Sequence, residues 1–365
     1  MSARGDGPAS VAAGAAVRAP AGDPTRAPAG DPTRAPVAVV VGKFLPPHRG
    51  HSYLIETACA GADRVTVIVC ARPDDPMPAD VRAGVLRDLH PGATVLVTPD
   101  DIPDDQGEAT SRAWAQRTIG LLGGRGPDLV FSSEEYGPRY AAFMGARHVS
   151  VDPGRTRFPI SGTAVRADPW ATARFLAPAV RAWFVRRVCV LGAESTGTTT
   201  LARDLAEHYG CDWVPEYGRT YCERRLAQAP TIDWDTDDFV HIACRQQADE
   251  DAAARRGGRL LICDTDALAT SIWHERYLGA ASPRVAGLAA ARSYALYILT
   301  ADDIPFVQDG TRDGEHLRGW MTDRFRQALG ARTEPWIEVR GSRRERLAAA
   351  RTAIDTLLTI PMGAR

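Results

Sequence analysis

The feature that most constrains this chain occurs twice. A short apolar run ends in glycine and is followed at once by a segment with helical spacing. Val37–Gly42 reads VAVVVG, and Val188–Gly192 reads VCVLG. Runs this short and this uniformly apolar suit strands buried on both faces, as in parallel sheets covered by helices. Alternation continues from each run. HSYLIETACAGA, ADVRAGVLRDLH and SRAWAQRTIGLLG read as helices, and RVTVIVCAR, ATVLVTPD, PDLVFSSEEYG and RHVSVD as strands. After PAVRAWF the pattern restarts with the strand RRVCVLGAE and the helix TTTLARDLAEHYG, closed by Gly210. CDWVPEYGR, RLLICDTDAL, SYALYILTADD and PWIEVRG supply further strands, and SRRERLAAARTAIDTLL a last helix. The expected fold class is α/β, with two doubly wound parallel-sheet domains, residues 37–185 and 186–365, meeting near 184–187. Residues 1–36 repeat AGDPTRAP at 21–28 and 29–36, and this Ala/Pro-rich stretch is expected to be a disordered tail.

Composition removes several classes. A net charge of −1 gives no global basic field to draw the chain to nucleic acid. No apolar stretch approaches the ~20 residues of a membrane span, and no compact apolar leader marks a signal peptide. The seven cysteines are odd in number and form no CxxC pair, which favours reduced thiols and a cytoplasmic protein. A homo-oligomer is compatible with all of this. Of the 44 basic residues only Lys43 is a lysine, so any second position needing an ammonium group lacks one.

The first glycine turn reads GKFLPPHRGH, Gly42 to His51. Following a buried strand and preceding a helix, it sits where such folds bind phosphates. Gly50 allows close backbone approach, and His48 and His51 offer N–H donors to phosphate oxygens as charge develops. Further along, ISGTAVR places Ser161 and Thr163 at a helix start, with Arg166 presenting a forked guanidinium. The second turn, GAESTGTT, has the glycines of a P-loop at Gly192 and Gly197 and hydroxyls at Thr199 and Thr200. Thr198 stands where that pattern has lysine. Asp264 and Asp266 in CDTDALAT end an apolar strand, as a metal site with Thr199 requires. Glu216 in VPEYGR is a candidate general base or substrate-holding residue. IPFVQDGTRDGEHLR, residues 304–318, reads as a lid carrying Arg312 and Arg318.

GKFLPPHRGH with ISGTAVR resembles the paired motifs of adenylyltransferases. VFSSEEYG, VDPGRTRFPISGTAVRADPW and PAVRAWFVRRV are similar to the bifunctional nicotinamide mononucleotide (NMN) adenylyltransferase/ribosylnicotinamide kinase family, the NadR-type proteins. The P-loop, EYGR, DTD and DGTR segments follow the same order, so the resemblance spans 37 to about 358. It implies a Rossmann-like nucleotidyltransferase domain followed by a P-loop kinase-like domain. The implied substrates are NMN, ribosylnicotinamide and ATP, with Mg2+ as cofactor. In the first domain His48, His51, Ser161, Thr163 and Arg166 would handle ATP, with Gly42, Lys43 and Phe44 beside them. Trp114 and Arg82 would contact NMN. Some members begin with a helix-turn-helix DNA-binding domain; residues 1–36 are too short and Pro-rich for one, so no repressor role is expected. At Thr198 the loss of a charged phosphate contact removes about 1.5–3 kcal/mol per hydrogen bond, leaving arginine, Arg312 or Arg318, to compensate. Two other readings stay open: a second domain that senses nucleotide without turnover, and a different phosphate substrate for the first, such as a cytidylyl or pantetheine-phosphate reaction.

Overall fold

The computed structural model describes residues 35–103, 107–229, 231–308 and 314–360. Residues 1–34, most of the expected tail, and Arg312 lie outside them. The first half alternates β1 (Val37–Gly42), α1 (Arg49–Gly61), β2 (Arg64–Ala71), α2 (Ala79–Leu89), β3 (Ala93–Pro99) and α3 (Glu108–Leu121). β4 (Leu129–Ser132), α4 (Gly137–Ala142), β5 (Arg147–Ser150), α5 (Gly162–Ala167) and α6 (Pro178–Phe184) complete it. The second half has β6 (Arg186–Gly192), α7 (Thr198–Tyr209), β7 (Asp212–Val214), α8 (Tyr217–Leu226), α9 (Thr236–Arg256) and β8 (Leu260–Asp264). It ends with α10 (Ala267–Leu278), α11 (Pro283–Ala290), β9 (Leu296–Thr300), α12 (Arg318–Gly330), β10 (Trp336–Val339) and α13 (Arg343–Thr359).

Two five-stranded parallel sheets result, in the orders β3-β2-β1-β4-β5 and β10-β9-β6-β8-β7. Both glycine-ended runs are therefore central strands, and both lie where strand order reverses and a crevice opens. Their uniform apolarity has a packing cause. Ala38 and Val40 face the side covered by Leu54 and Ile55 of α1, while Val39 faces Ala115, Tyr140 and Met144. In β6, Val188 and Val190 meet Leu201 and Leu205 of α7, while Cys189 and Leu191 meet Phe325 and Leu329 of α12.

Two expected strands are shorter than their sequence suggests. β4 stops at Ser132, and EEYG turns into α4, which has proline in its first turn. β7 stops at Val214 because Pro215 cannot continue the ladder, and Tyr217–Arg219 opens α8. The seven cysteines are free. Among the described residues no helix is long and apolar enough to cross a membrane. Only Val185 separates α6 from β6. Val180 and Phe184 pack with Ile160 and Val165, Val185 packs with the core of the second sheet, and Trp170 borders both clusters.

Candidate functional site

At the carboxyl edge of the first sheet one cavity gathers Gly42, Lys43, Phe44, His51, Ser161, Thr163, Arg166 and Trp114. His48 begins α1, its Nδ1 accepting from the His51 amide at 3.4 Å. The two imidazoles stack at 3.6 Å, and Phe44 meets His51 edge-on at 5.0 Å. A Cβ on Gly50 would stand 3.2 Å from the His48 ring, so glycine keeps the stack intact. Burial, aided by the charge of Arg155, lowers His48 to about 4. Burial also holds His51 well below the usual histidine range, with His48 and Arg155 adding to it. Both rings are neutral near pH 7. The Nδ1 of His51 is buried without a hydrogen-bond partner. Ser161 caps α5, accepting from Ala164 N at 3.2 Å. Arg166 donates to the Leu45 carbonyl and, at 3.3 Å, to Thr163 Oγ1, which fixes its guanidinium at the cavity wall.

Other charged members of this cavity, Arg155, Asp100 and Arg72 among them, were not foreseen. Asp152 accepts from the amides of Thr156 at 2.8 Å, Arg157 at 3.2 Å and Phe158 at 3.3 Å, and the loop so shaped carries Arg155 into the cavity lining. The turn chemistry of VDPG was the available signal. Asp100, 6% exposed, ion-pairs with Arg72 at 2.8 Å and Lys43 at 3.5 Å. No local pattern pairs these residues; only the sheet brings the ends of β1, β2 and β3 together. Arg82 requires a correction. It is fully buried, donating to the carbonyls of Lys43 and Cys70 and to Asp75 at 2.5 Å. It fastens the loops behind the cavity and does not line it.

The second cavity lies over the P-loop. Gly192, Gly197, Thr198, Thr199, Thr200 and Glu216 line it. A Cβ on Gly192 would come within 2.3 Å of Thr300 Oγ1 and 2.7 Å of Thr196 Oγ1, so no larger residue fits where the loop leaves β6. Thr199 Oγ1 donates to Asp264 Oδ2 at 2.6 Å, as its motif position anticipates. Burial raises Asp264 to about 6, against the opposing hydrogen bond from Thr199 and charge of Arg219. Its Oδ1 is buried without a hydrogen-bond partner. Asp266 does not join it. That carboxylate caps α10, accepting from Ala269 N at 3.0 Å, and accepts from Tyr297 OH at 2.9 Å. Arg318 is also corrected: it is buried, donating to the carbonyls of Ile304 at 2.9 Å and Ser195 at 3.4 Å, outside the cavity lining. An aromatic wall of Trp234, Phe239, Trp273 and Tyr277 closes the far end; Trp273 and Tyr277, one helical turn apart on α10, were its sequence signal.

Two phosphate-suited cavities on two parallel sheets can be set beside known proteins. The Escherichia coli (strain K12) trifunctional NAD biosynthesis/regulator protein NadR is 30% identical over 295 residues, which cover 76% of this chain and 71% of that protein. The chain belongs to the NadR family. The Salmonella typhimurium member of the same description is 28% identical over the same shares of both chains. A crystal structure of a NadR protein in complex with NR superposes with a TM-score of 0.68 at 20% identity, covering 89% of this chain and 96% of that one. Another, in complex with NAD and AMP-PNP, gives 0.66 at 20% identity, with 91% and 98% covered. A family described as AAA domain matches residues 187–346.

Proposed function

We propose that residues 37–185 of this NadR-family enzyme transfer the adenylyl group of ATP to NMN, and that residues 186–365 phosphorylate ribosylnicotinamide to NMN. The observation that carries the first reaction is the neutral His51 ring, stacked on His48, in one cavity with Arg155, Arg166 and Lys43. A phosphate oxygen of NMN attacks the α-phosphorus of ATP. The bond from that phosphorus to the bridging oxygen breaks, and NAD and pyrophosphate result. No proton need move and no covalent enzyme intermediate is required. The chain's contribution is to bring two anions together and stabilise charge on the leaving pyrophosphate. Arginines supply the charge, and the neutral imidazoles add N–H donors without extra repulsion between cations. Trp114, half-buried under Arg117 at 5.4 Å, offers a flat face for the nicotinamide or adenine ring.

In the second reaction a ribose hydroxyl attacks the γ-phosphorus of ATP. Its proton passes to the Glu216 carboxylate, and ADP leaves. The P-loop amides face the phosphates. The aromatic wall suits a pyridinium cation, which sits well against ring faces. Thr199 Oγ1 and the orphaned Asp264 Oδ1 fit Mg2+, an ion that takes one or two protein oxygens and fills its shell from phosphate and water. When bound, the ion would neutralise phosphate charge. The balanced charge supports an enzyme that acts on small molecules, without nucleic acid.

Incubation with ATP, Mg2+ and either NMN or ribosylnicotinamide, followed by chromatography, tests both halves. NAD should form from NMN, and NMN from ribosylnicotinamide. Absence of NAD in the first incubation would defeat the main assignment. ATP binding without phosphorylation in the second would favour a nucleotide-sensing second half, the reading that Thr198 supports.

A further inference from the structure

The P-loop of this chain lacks its lysine, and the chain has no other lysine outside the first cavity. Thr199 Oγ1 donates to Asp264 Oδ2, and Thr198 carries no charge, so neither side chain after Gly197 offers a cation to phosphate. A cation for the transferred phosphate must then come from another element. Three arginines near the loop are committed to holding it. Arg276, its side chain 3% exposed, donates to Glu194 Oε1 at 2.8 Å. Arg346 donates to the Thr196 carbonyl at 2.6 Å and the Ala301 carbonyl at 3.1 Å. Arg318 serves the carbonyls already described. None of the three lines the cavity. Arg203, on α7, stacks on Trp213 at 5.1 Å and is exposed.

Arg219 differs from these in lining the cavity. It stands in the first turn of α8, half-buried, and lines the cavity together with Gly197, Thr198 and Glu216. The start of α8 is tied to the metal-suited strand end through Gln246, which is 1% exposed. Its Oε1 accepts from the Tyr217 amide at 2.9 Å, and its Nε2 donates to the Asp264 carbonyl at 3.5 Å. The charges of Arg219 and Arg203 both act on the Asp264 carboxyl, but of the two Arg219 alone lines the cavity beside the P-loop. We propose that Arg219 replaces the P-loop lysine, delivering the cation to the terminal phosphates of ATP from the acceptor side of the cavity. This rests on the kinase reading above. A guanidinium suits the task because its planar fork can hold two phosphate oxygens at once. Unlike a lysine on the loop, it arrives on the same helix turn as Glu216, so ATP and acceptor would be recognised together.

The test compares Arg219→Ala, Arg219→Lys, Arg312→Ala and Thr198→Lys with Thr198→Lys/Arg219→Ala, in the full chain. Formation of NAD from NMN monitors the first half throughout. Phosphorylation of ribosylnicotinamide should fall about tenfold to hundredfold in Arg219→Ala, the loss of one charged contact to phosphate. Arg219→Lys should lose less, and Thr198→Lys should recover about tenfold or more in the Arg219→Ala background. Such rescue would not follow from a structural role for Arg219. Activity of Arg219→Ala within about threefold of the parent, failure of Thr198→Lys to rescue it while active alone, or loss in Arg312→Ala instead would each overturn the proposal. If the parent protein turns over no ribosylnicotinamide, the kinase reading falls and Arg219 is judged by binding. The preference for ATP over AMP, read from the fluorescence of Trp234 and Trp273, should shrink in Arg219→Ala. An unchanged preference would overturn the assignment.

Discussion

The two cavities open at equivalent places, each beside the central strand of a parallel sheet, yet they collect charge differently. The first is walled by side-chain cations from several elements: Lys43, Arg72, Arg155 and Arg166. The second has a loop of backbone amides and a threonine at the lysine position, with a buried carboxylate bonded to Thr199 of its lining. A site that handles two anions at once needs dispersed cations. A P-loop meets one polyphosphate with amides and can leave most of the charge to a metal ion. Reciprocal substitutions press hardest on this contrast. His51→Ala should lower NAD formation about 10²–10³-fold, the usual loss on removing a donor aimed at developing charge, and leave ribosylnicotinamide phosphorylation unchanged. Asp264→Ala should do the reverse. Loss of both activities in either variant would mean that the halves work as one unit.

The fold was legible because the two central strands announce themselves. Four or five consecutive apolar residues running into glycine leave few options besides a doubly covered parallel strand. The strand ends were less legible, because Pro215 and Pro138 act locally against longer apolar runs. At the sites, motif residues such as His51 and Thr199 were found because sequence neighbours hold them together. Asp100, Arg155 and Arg219 were not, because the sheet crevice assembles them from separate turns. Arg82, Asp266 and Arg318 had the right chemistry, but burial turned their polar atoms to carbonyls, to Asp75, or to a helix cap.

Acidity gives a second, smaller contrast. His48 sits at about 4, below its ordinary value, so the unfolded chain binds a proton that the folded one refuses. The first half should lose stability as pH falls from about 6.5 to about 4. In the second half, burial raises Glu250 to about 8, where Tyr294 OH donates to its carboxyl oxygens at 2.9 Å and Arg292 lies 3.4 Å away. Its stabilising proton is retained below the unfolded value near 4.5, so stability should fall as pH rises from about 4.5 to about 8. Each titration changes stability by at most about 1.4 kcal/mol per pH unit. Thermal unfolding across pH should show the two slopes, and Glu250→Gln should flatten the second between about pH 6 and 8, above the range in which Asp264, raised to about 6, adds to it. A Glu250→Gln protein that keeps that slope would refute the assignment.

The smallest effect is expected at Trp114. Removing one aromatic face costs about 0.5–1.5 kcal/mol, so Trp114→Ala should raise the KM for NMN or ATP no more than about tenfold and leave phosphorylation alone. An unaltered KM for both would restrict Trp114 to packing.

The junction at Val185 has a practical consequence. Domains commonly part at exposed, dispensable linkers, but here Phe184 belongs to one core and Val185 to the other. Arg186 then clasps the end of α13 through the carbonyls of Leu357 and Ile360. A gene cut at this point would give two fragments with raw apolar edges, and a truncation before Leu357 would unfasten the same joint from the opposite end. Anyone wishing to borrow either catalyst alone would have to redesign the seam before expecting soluble halves.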